Sequence, residues 1–186
     1  MPPKVKVTKE AIIHAAVELV RASGSDAINA RTLAAALNCS TQPIFSNFPT
    51  MDALRHAVLL QADALCREYR EKEVTAGVFP AYKANGMAYI RFAKEEKELF
   101  KLLYMRNRGG EAVTVQVGID DQMEIIVQNN TGLADMDAKL FHLEMWAVVH
   151  GIATMLATGF VDLDWELISK VLTDTYLGLR KQYGME

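Results

Sequence analysis

Five hydrogen-bonding side chains, Ser40, Thr41, Gln42, Ser46 and Asn47, fall within eight residues of this chain. Nine positions earlier than the first of them stands Arg31. Gln bonds adenine in a bidentate way, Ser and Thr bond bases or phosphates, and Arg pairs with phosphate. These residue types therefore suit contact with duplex nucleic acid. Competing chemistries find little support. Cys39 and Cys66 show no CxxC spacing, and His14, His56, His142 and His150 are scattered, so no metal site is expected. The two cysteines read as small buried hydrophobes. The sequence holds no GxSxG, P-loop, HExxH or GxGxxG signature, and no cofactor and no enzymatic activity are expected.

To act on DNA these side chains need a short helix supported from behind. The spacing supplies one. Asn29 is a suitable cap for a helix through Leu37, and Asn38 stands where a left-handed residue closes a helix. Ser40 is expected to cap a second helix, Thr41 to Asn47, with Pro43 in its first turn. Ile44 and Phe48 can point back toward Leu33, Ala34 and Leu37, leaving Thr41, Gln42, Ser46 and Asn47 outward. Thr50 then caps a long helix to about Glu73. Thr8 caps an earlier helix from Lys9 to about Ala22. Helix starts at Ala30, Thr41 and Met51 would turn backbone N–H groups toward phosphates.

The rest of the pattern is helical too. Helices are expected over 81–93, 95–106, 114–130, 135–158 and 165–183, separated by Gly- and Asn-rich breaks, with no sustained β alternation. The fold class is therefore all-α, about nine helices: a three-helix helix-turn-helix domain at 1–50 and a larger helical domain at 51–186. Net charge divides in the same sense. Residues 1–57 carry +2, and the remainder makes the whole chain −3. A mildly basic head on an acidic body fits phosphate contact at one end. Lys4 and Lys6, on the N-terminal arm, are further phosphate ligands. The opening MPPKVKVTKEA has no apolar segment behind its charges and no apolar run approaches ~18–20 residues, so neither signal peptide nor membrane span is expected and the location is cytoplasmic.

The region 8–60 resembles the N-terminal domain of the TetR family of bacterial transcriptional regulators. Arg31-Thr32-Leu33-Ala34, Asn38-Cys39-Ser40, Ile44-Phe45-Ser46-Asn47-Phe48 and Phe48-Pro49-Thr50-Met51-Asp52-Ala53-Leu54 carry the match. Trp146-Ala147-Val148-Val149-His150-Gly151 resembles a motif in the C-terminal domain of one branch. The chain departs from the pattern at Phe45, where Tyr is common, at Met51, where Lys is common, and at Asn38, where Gly is usual. The first two departures remove phosphate contacts of about 1 kcal/mol each.

What the resemblance implies is a homodimeric regulator, a repressor released from a palindromic double-stranded DNA operator by a small-molecule effector of unidentified structure. The expected DNA contacts are Lys4, Lys6, Arg31, Thr32, Ser40, Thr41, Gln42, Phe45, Ser46, Asn47 and Thr50. An effector pocket would be lined by Met87, Phe92, Phe100, Leu103, Tyr104, Met123, Met145, Trp146 and Val149, with Asn85, Arg91, Arg106, Gln122 and His150 as polar groups near it. Stripes at Leu140, Leu143, Ala147, His150, Gly151, Thr154 and Thr158, and at Leu167, Val171, Leu172, Thr175, Leu179 and Gln182, would pair in a four-helix dimer interface. The alternative is a helical dimer that binds a small molecule or a protein and has lost DNA binding.

Overall fold

The computed structural model describes residues 7–106 and 121–185. Among these the architecture is all-helical: α1 (Lys9–Ser23), α2 (Ala30–Ala36), α3 (Gln42–Asn47), α4 (Met51–Ala76), α5 (Ala81–Glu95), α6 (Lys97–Tyr104), α7 (Asp121–Thr131), α8 (Asp135–Ala157) and α9 (Trp165–Gln182), with one 3-10 turn at Ser25–Ala27. The expected helices recur with boundaries shifted by a few residues. The exception is the helix placed at 114–130, whose first part lies outside the described residues.

Local chemistry explains most of the boundaries. The Thr8 hydroxyl accepts from the Ala11 N–H and starts α1, and Gly24, at φ 78°, ends it. The Asn29 side chain accepts from the N–H groups of Arg31 and Thr32, and the Thr32 hydroxyl accepts from the Asn29 N–H in return. This reciprocal box fixes the start of α2. Asn38 holds the left-handed conformation that its position requires, at φ 49°. The cap of α3 differs from expectation. Thr41, not Ser40, holds the cap position, in a helical conformation and without a side-chain cap bond. Its neighbour Pro43 lacks the N–H that a cap would otherwise serve, so the turn closes through backbone bonds to the Thr41 carbonyl.

The chain divides into two compact units. One runs to Arg67 and takes in Glu96–Arg106; the other holds Glu68–Glu95 and the chain after Arg106. α4 begins in the first and ends in the second.

In the first unit α1, α2 and α3 pack on one another, and α6 packs on α1. Ile12, Ala16, Val20, Leu33, Ile44 and Leu54 are fully buried, and Phe48 nearly so. Each large aliphatic buried this way contributes roughly 1.5–3 kcal/mol. α6 adds Leu99 and Phe100, both fully buried. Arg21 of α1 binds Glu96 through two parallel bonds, Nε to Oε2 at 2.8 Å and Nη2 to Oε1 at 2.6 Å, and also reaches Glu18 at 2.6 Å.

In the second unit α5 lies chiefly on α8, α7 also covers α8, and α9 packs on both α8 and α5. A cluster of Val127, Ala138, Phe141 and Met145 is flanked by Tyr82, Tyr176, Leu179 and Tyr183. Gly86 permits close approach. A Cβ there would stand 3.3 Å from Val149 Cγ2 and 3.5 Å from Leu172 Cδ1. Leu172 is therefore core of its own subunit and not part of an outward stripe.

One expectation about apolar runs changes. By length and composition the helical stretch Met136–Ala157 is apolar enough to cross a membrane, although Asp137, Lys139 and Glu144 interrupt it. Its residues Phe141, Met145, Ile152, Ala153 and Leu156 are buried against the rest of the second unit, as expected of a core helix.

Candidate nucleic-acid interface

Three residues of α3 expose their side chains: Gln42, Phe45 and Ser46. Ile44, between them, is fully buried and anchors the helix to the core. Gln42 forms no side-chain hydrogen bond among the described residues, so its amide is available to an outside partner. Ser40, just before the helix, is exposed, and Thr41 is half-buried. Arg31 is exposed in the first turn of α2. Lys4 and Lys6 lie outside the described residues.

Other expected contacts are already engaged within the subunit. The Thr32 hydroxyl donates to the Ala27 carbonyl at 2.6 Å, closing the turn before α2. The Ser46 hydroxyl donates to the Gln42 carbonyl at 2.9 Å. Thr50 Oγ1 accepts from the Ala53 N–H at 3.1 Å and caps α4. Asn47, expected to face outward, instead turns its amide inward, donating to the carbonyls of Pro43 at 2.7 Å and Val7 at 3.4 Å. Its physical reason is position: at the last turn of α3 the side chain meets the carbonyls of Pro43 in that turn and of Val7 in the segment entering α1. Lys9 adds to this joint, its ammonium lying 5.3 Å from the centre of the Phe48 ring.

The expected pocket residues distribute between the units. Phe100, Leu103 and Tyr104 sit on α6 in the first unit; Met87 and Phe92 on α5, Met123 on α7, and Met145, Trp146 and Val149 on α8 belong to the second. Met87, Phe92, Phe100, Leu103, Met145 and Val149 are buried, whereas Tyr104, Met123 and Trp146 are half-buried. Among the polar candidates, Asn85 donates to the Ala81 carbonyl at 2.8 Å. Arg91 pairs with Glu73 at 3.2 Å and Glu95 at 3.6 Å, and lies 4.4 Å from the centre of the Trp165 ring. The side chain of Gln122 lies outside the described residues.

Two polar bonds between α5 and α8 escaped sequence reasoning. The Tyr82 hydroxyl meets His142 Nδ1 at 2.8 Å, and the Tyr89 hydroxyl meets His150 Nδ1 at 2.9 Å. His142 is buried, and His150 is stacked on Trp146 with ring centres 4.7 Å apart. Burial raises the Tyr82 phenol far above its ordinary range and lowers the His150 imidazole. The pairs sit two turns apart on each helix, so α5 and α8 run in the same direction.

A family model described as tetracyclin repressor-like, C-terminal domain, matches residues 82–174, half of the 186-residue chain. The chain belongs to the TetR family. The match begins at Tyr82 near the start of α5 and ends within α9, so the TetR-like portion contains both Tyr–His pairs. TetR membership points to a regulator of transcription. No curated protein matches the chain.

Proposed function

We propose that this TetR-family regulator is a homodimeric transcriptional repressor that leaves a palindromic operator when a small molecule binds its C-terminal domain. In this reading residues 1–50 contact DNA and 51–186 dimerise and bind the effector, in the cytoplasm where the operator is. One observation carries the DNA half. α3 presents Gln42, Phe45 and Ser46 to the outside from a helix held by Ile44 and Phe48, immediately after the left-handed turn at Asn38. Arg31 and the N-terminal Lys4 and Lys6 add phosphate contacts.

Two reading helices held ~34–36 Å apart read a palindrome where one reads only a few base pairs. α8 supports the dimer: Met136, Leu140, Leu143 and Ala147 are exposed at one-turn intervals, and Leu167 and Leu177 are exposed on α9. α4, continuous from the first unit into the second, is the natural connector between effector and DNA. To reverse a strongly populated state the effector must favour the DNA-incompetent form by roughly 5.5 kcal/mol. The buried apolar side chains of α5, α7 and α8, with few bases among them, favour a neutral, hydrophobic or cationic molecule.

A second reading, a helical dimer without DNA binding, rests on Phe45 and Met51, which lack the hydroxyl and ammonium of the common family pattern. Selection from random duplexes, followed by salt titration, separates the two. The repressor reading expects Gln42→Ala to reduce discrimination between selected and random duplexes. Arg31→Ala should weaken both evenly and reduce the salt slope by about 1. Absence of any salt-dependent duplex binding leaves the second reading.

A further inference from the structure

The outward face of α3 is poorer in hydrogen-bond donors than its sequence suggests. Ser46 directs its hydroxyl proton at the Gln42 carbonyl, and Asn47 turns its amide to Pro43 and Val7. Between Gln42 and Ser46 the outward group is the Phe45 ring. It is 49 % exposed, while the flanking apolar residues Ile44 and Phe48 are 0 % and 3 % exposed. A phenyl ring has nothing to donate to a phosphate, and its exposed surface gains only by leaving water against an apolar partner. On the major-groove edges of the four base pairs the apolar group is the 5-methyl of thymine.

We propose that Phe45 reads thymine through that methyl group, so that the operator is selected at this position by apolar contact and not by a hydrogen bond. The inference rests on the DNA reading of α3 and deepens it by naming the base. Gln42, one turn away on the same short helix, then reads a neighbouring base by hydrogen bonding. Phe45 is a specificity-determining residue in this scheme, and the hydroxyl that a Tyr would bring to the backbone is exchanged for a base contact.

The test uses the full chain and a duplex selected from a random library. The selected duplex is remade with deoxyuridine replacing one thymidine at a time; deoxyuridine keeps the O4 acceptor and the pairing and loses only the methyl. At the position read by Phe45 the wild-type protein should bind the deoxyuridine duplex about fourfold more weakly, the loss expected for one buried methyl. Phe45→Ala should weaken binding to the thymidine duplex and bring the thymidine-to-deoxyuridine ratio near one there. Phe45→Leu should retain part of it. Because Phe45 is an exposed side chain, these variants leave the core intact. A ratio of one at every position in the wild-type protein overturns the inference and leaves the DNA reading standing, as does an unchanged ratio in Phe45→Ala. A selection that yields no duplex overturns both.

Discussion

The helix-turn-helix and the α5–α8 pair hold their polar groups in opposite ways. In the first, side-chain bonds mostly close within five residues: Asn29 to Arg31 and Thr32, Thr32 to Ala27, Ser46 to Gln42, Thr50 to Ala53. In the second, Tyr82 finds His142 and Tyr89 finds His150, 60 and 61 positions away, and α5 also reaches α9, where Lys83 finds Thr173 at a separation of 90. A local bond forms with its own helix start and can be lost alone. A bond between helices exists only when the packing exists, so its loss is felt through the whole interface.

The contrast can be tested at both ends. The largest effect belongs to the second unit's core. Phe141→Ala should destabilise by about 3–5 kcal/mol, because the fully buried ring packs edge-on against Tyr176 and Tyr183 and leaves a cavity. Denaturant unfolding measures it; a loss below 1 kcal/mol would show that the aromatic cluster collapses freely.

Tyr82→Phe comes next. It keeps the ring and removes the hydroxyl that meets the buried His142, for an expected loss of about 1–3 kcal/mol. The loss should appear with accelerated exchange of amides in both α5 and α8. A change confined to α5 would contradict the cooperative picture.

Asn29→Ala should cost about 1 kcal/mol by removing the α2 cap. Exchange should quicken in the first turn of α2 and leave α5 and α8 untouched. Protection lost in the second unit would break the comparison from the other side.

The smallest expected effect is a pH slope. Burial lowers the His150 imidazole below its ordinary 6.5, so the unfolded chain takes up the proton first. The neutral form's stability is complete above about pH 6.5 and falls as pH drops from there toward the lowered folded value. His150→Gln should flatten that decline, seen as a smaller difference in unfolding midpoint between pH 7.5 and pH 5.5. Identical declines in the two proteins would remove His150 from the account.

The same contrast explains what the sequence could disclose. The caps at Thr8, Asn29 and Thr50, the left-handed Asn38 and the inward Ile44 and Phe48 are all set by neighbours within a turn or two, so type and spacing sufficed. Asn47 marks the limit: its Pro43 bond is local, but its contact with Val7 spans 40 residues, and orientation followed the fold. The Tyr–His pairs left a faint trace, Tyr at a spacing of seven and His at a spacing of eight, two turns on each helix. Matching them required knowing that α5 lies along α8, which no short-range pattern states. Likewise nothing in the composition of 97–104 announced that α6 would join the first unit and divide the expected pocket residues between two units.

That late contribution of α6 bears on how the protein is made. The ribosome delivers α1, α2 and α3 long before Leu99, Phe100 and the Glu96 carboxylates that grip Arg21. For the intervening stretch of synthesis the nascent first unit has one apolar flank wet and Arg21 held by Glu18 alone, a state open to premature association. Excising the N-terminal helices as a stand-alone module at the end of α4 would make that interim state permanent, so a portable version must carry α6 with it or replace what α6 covers.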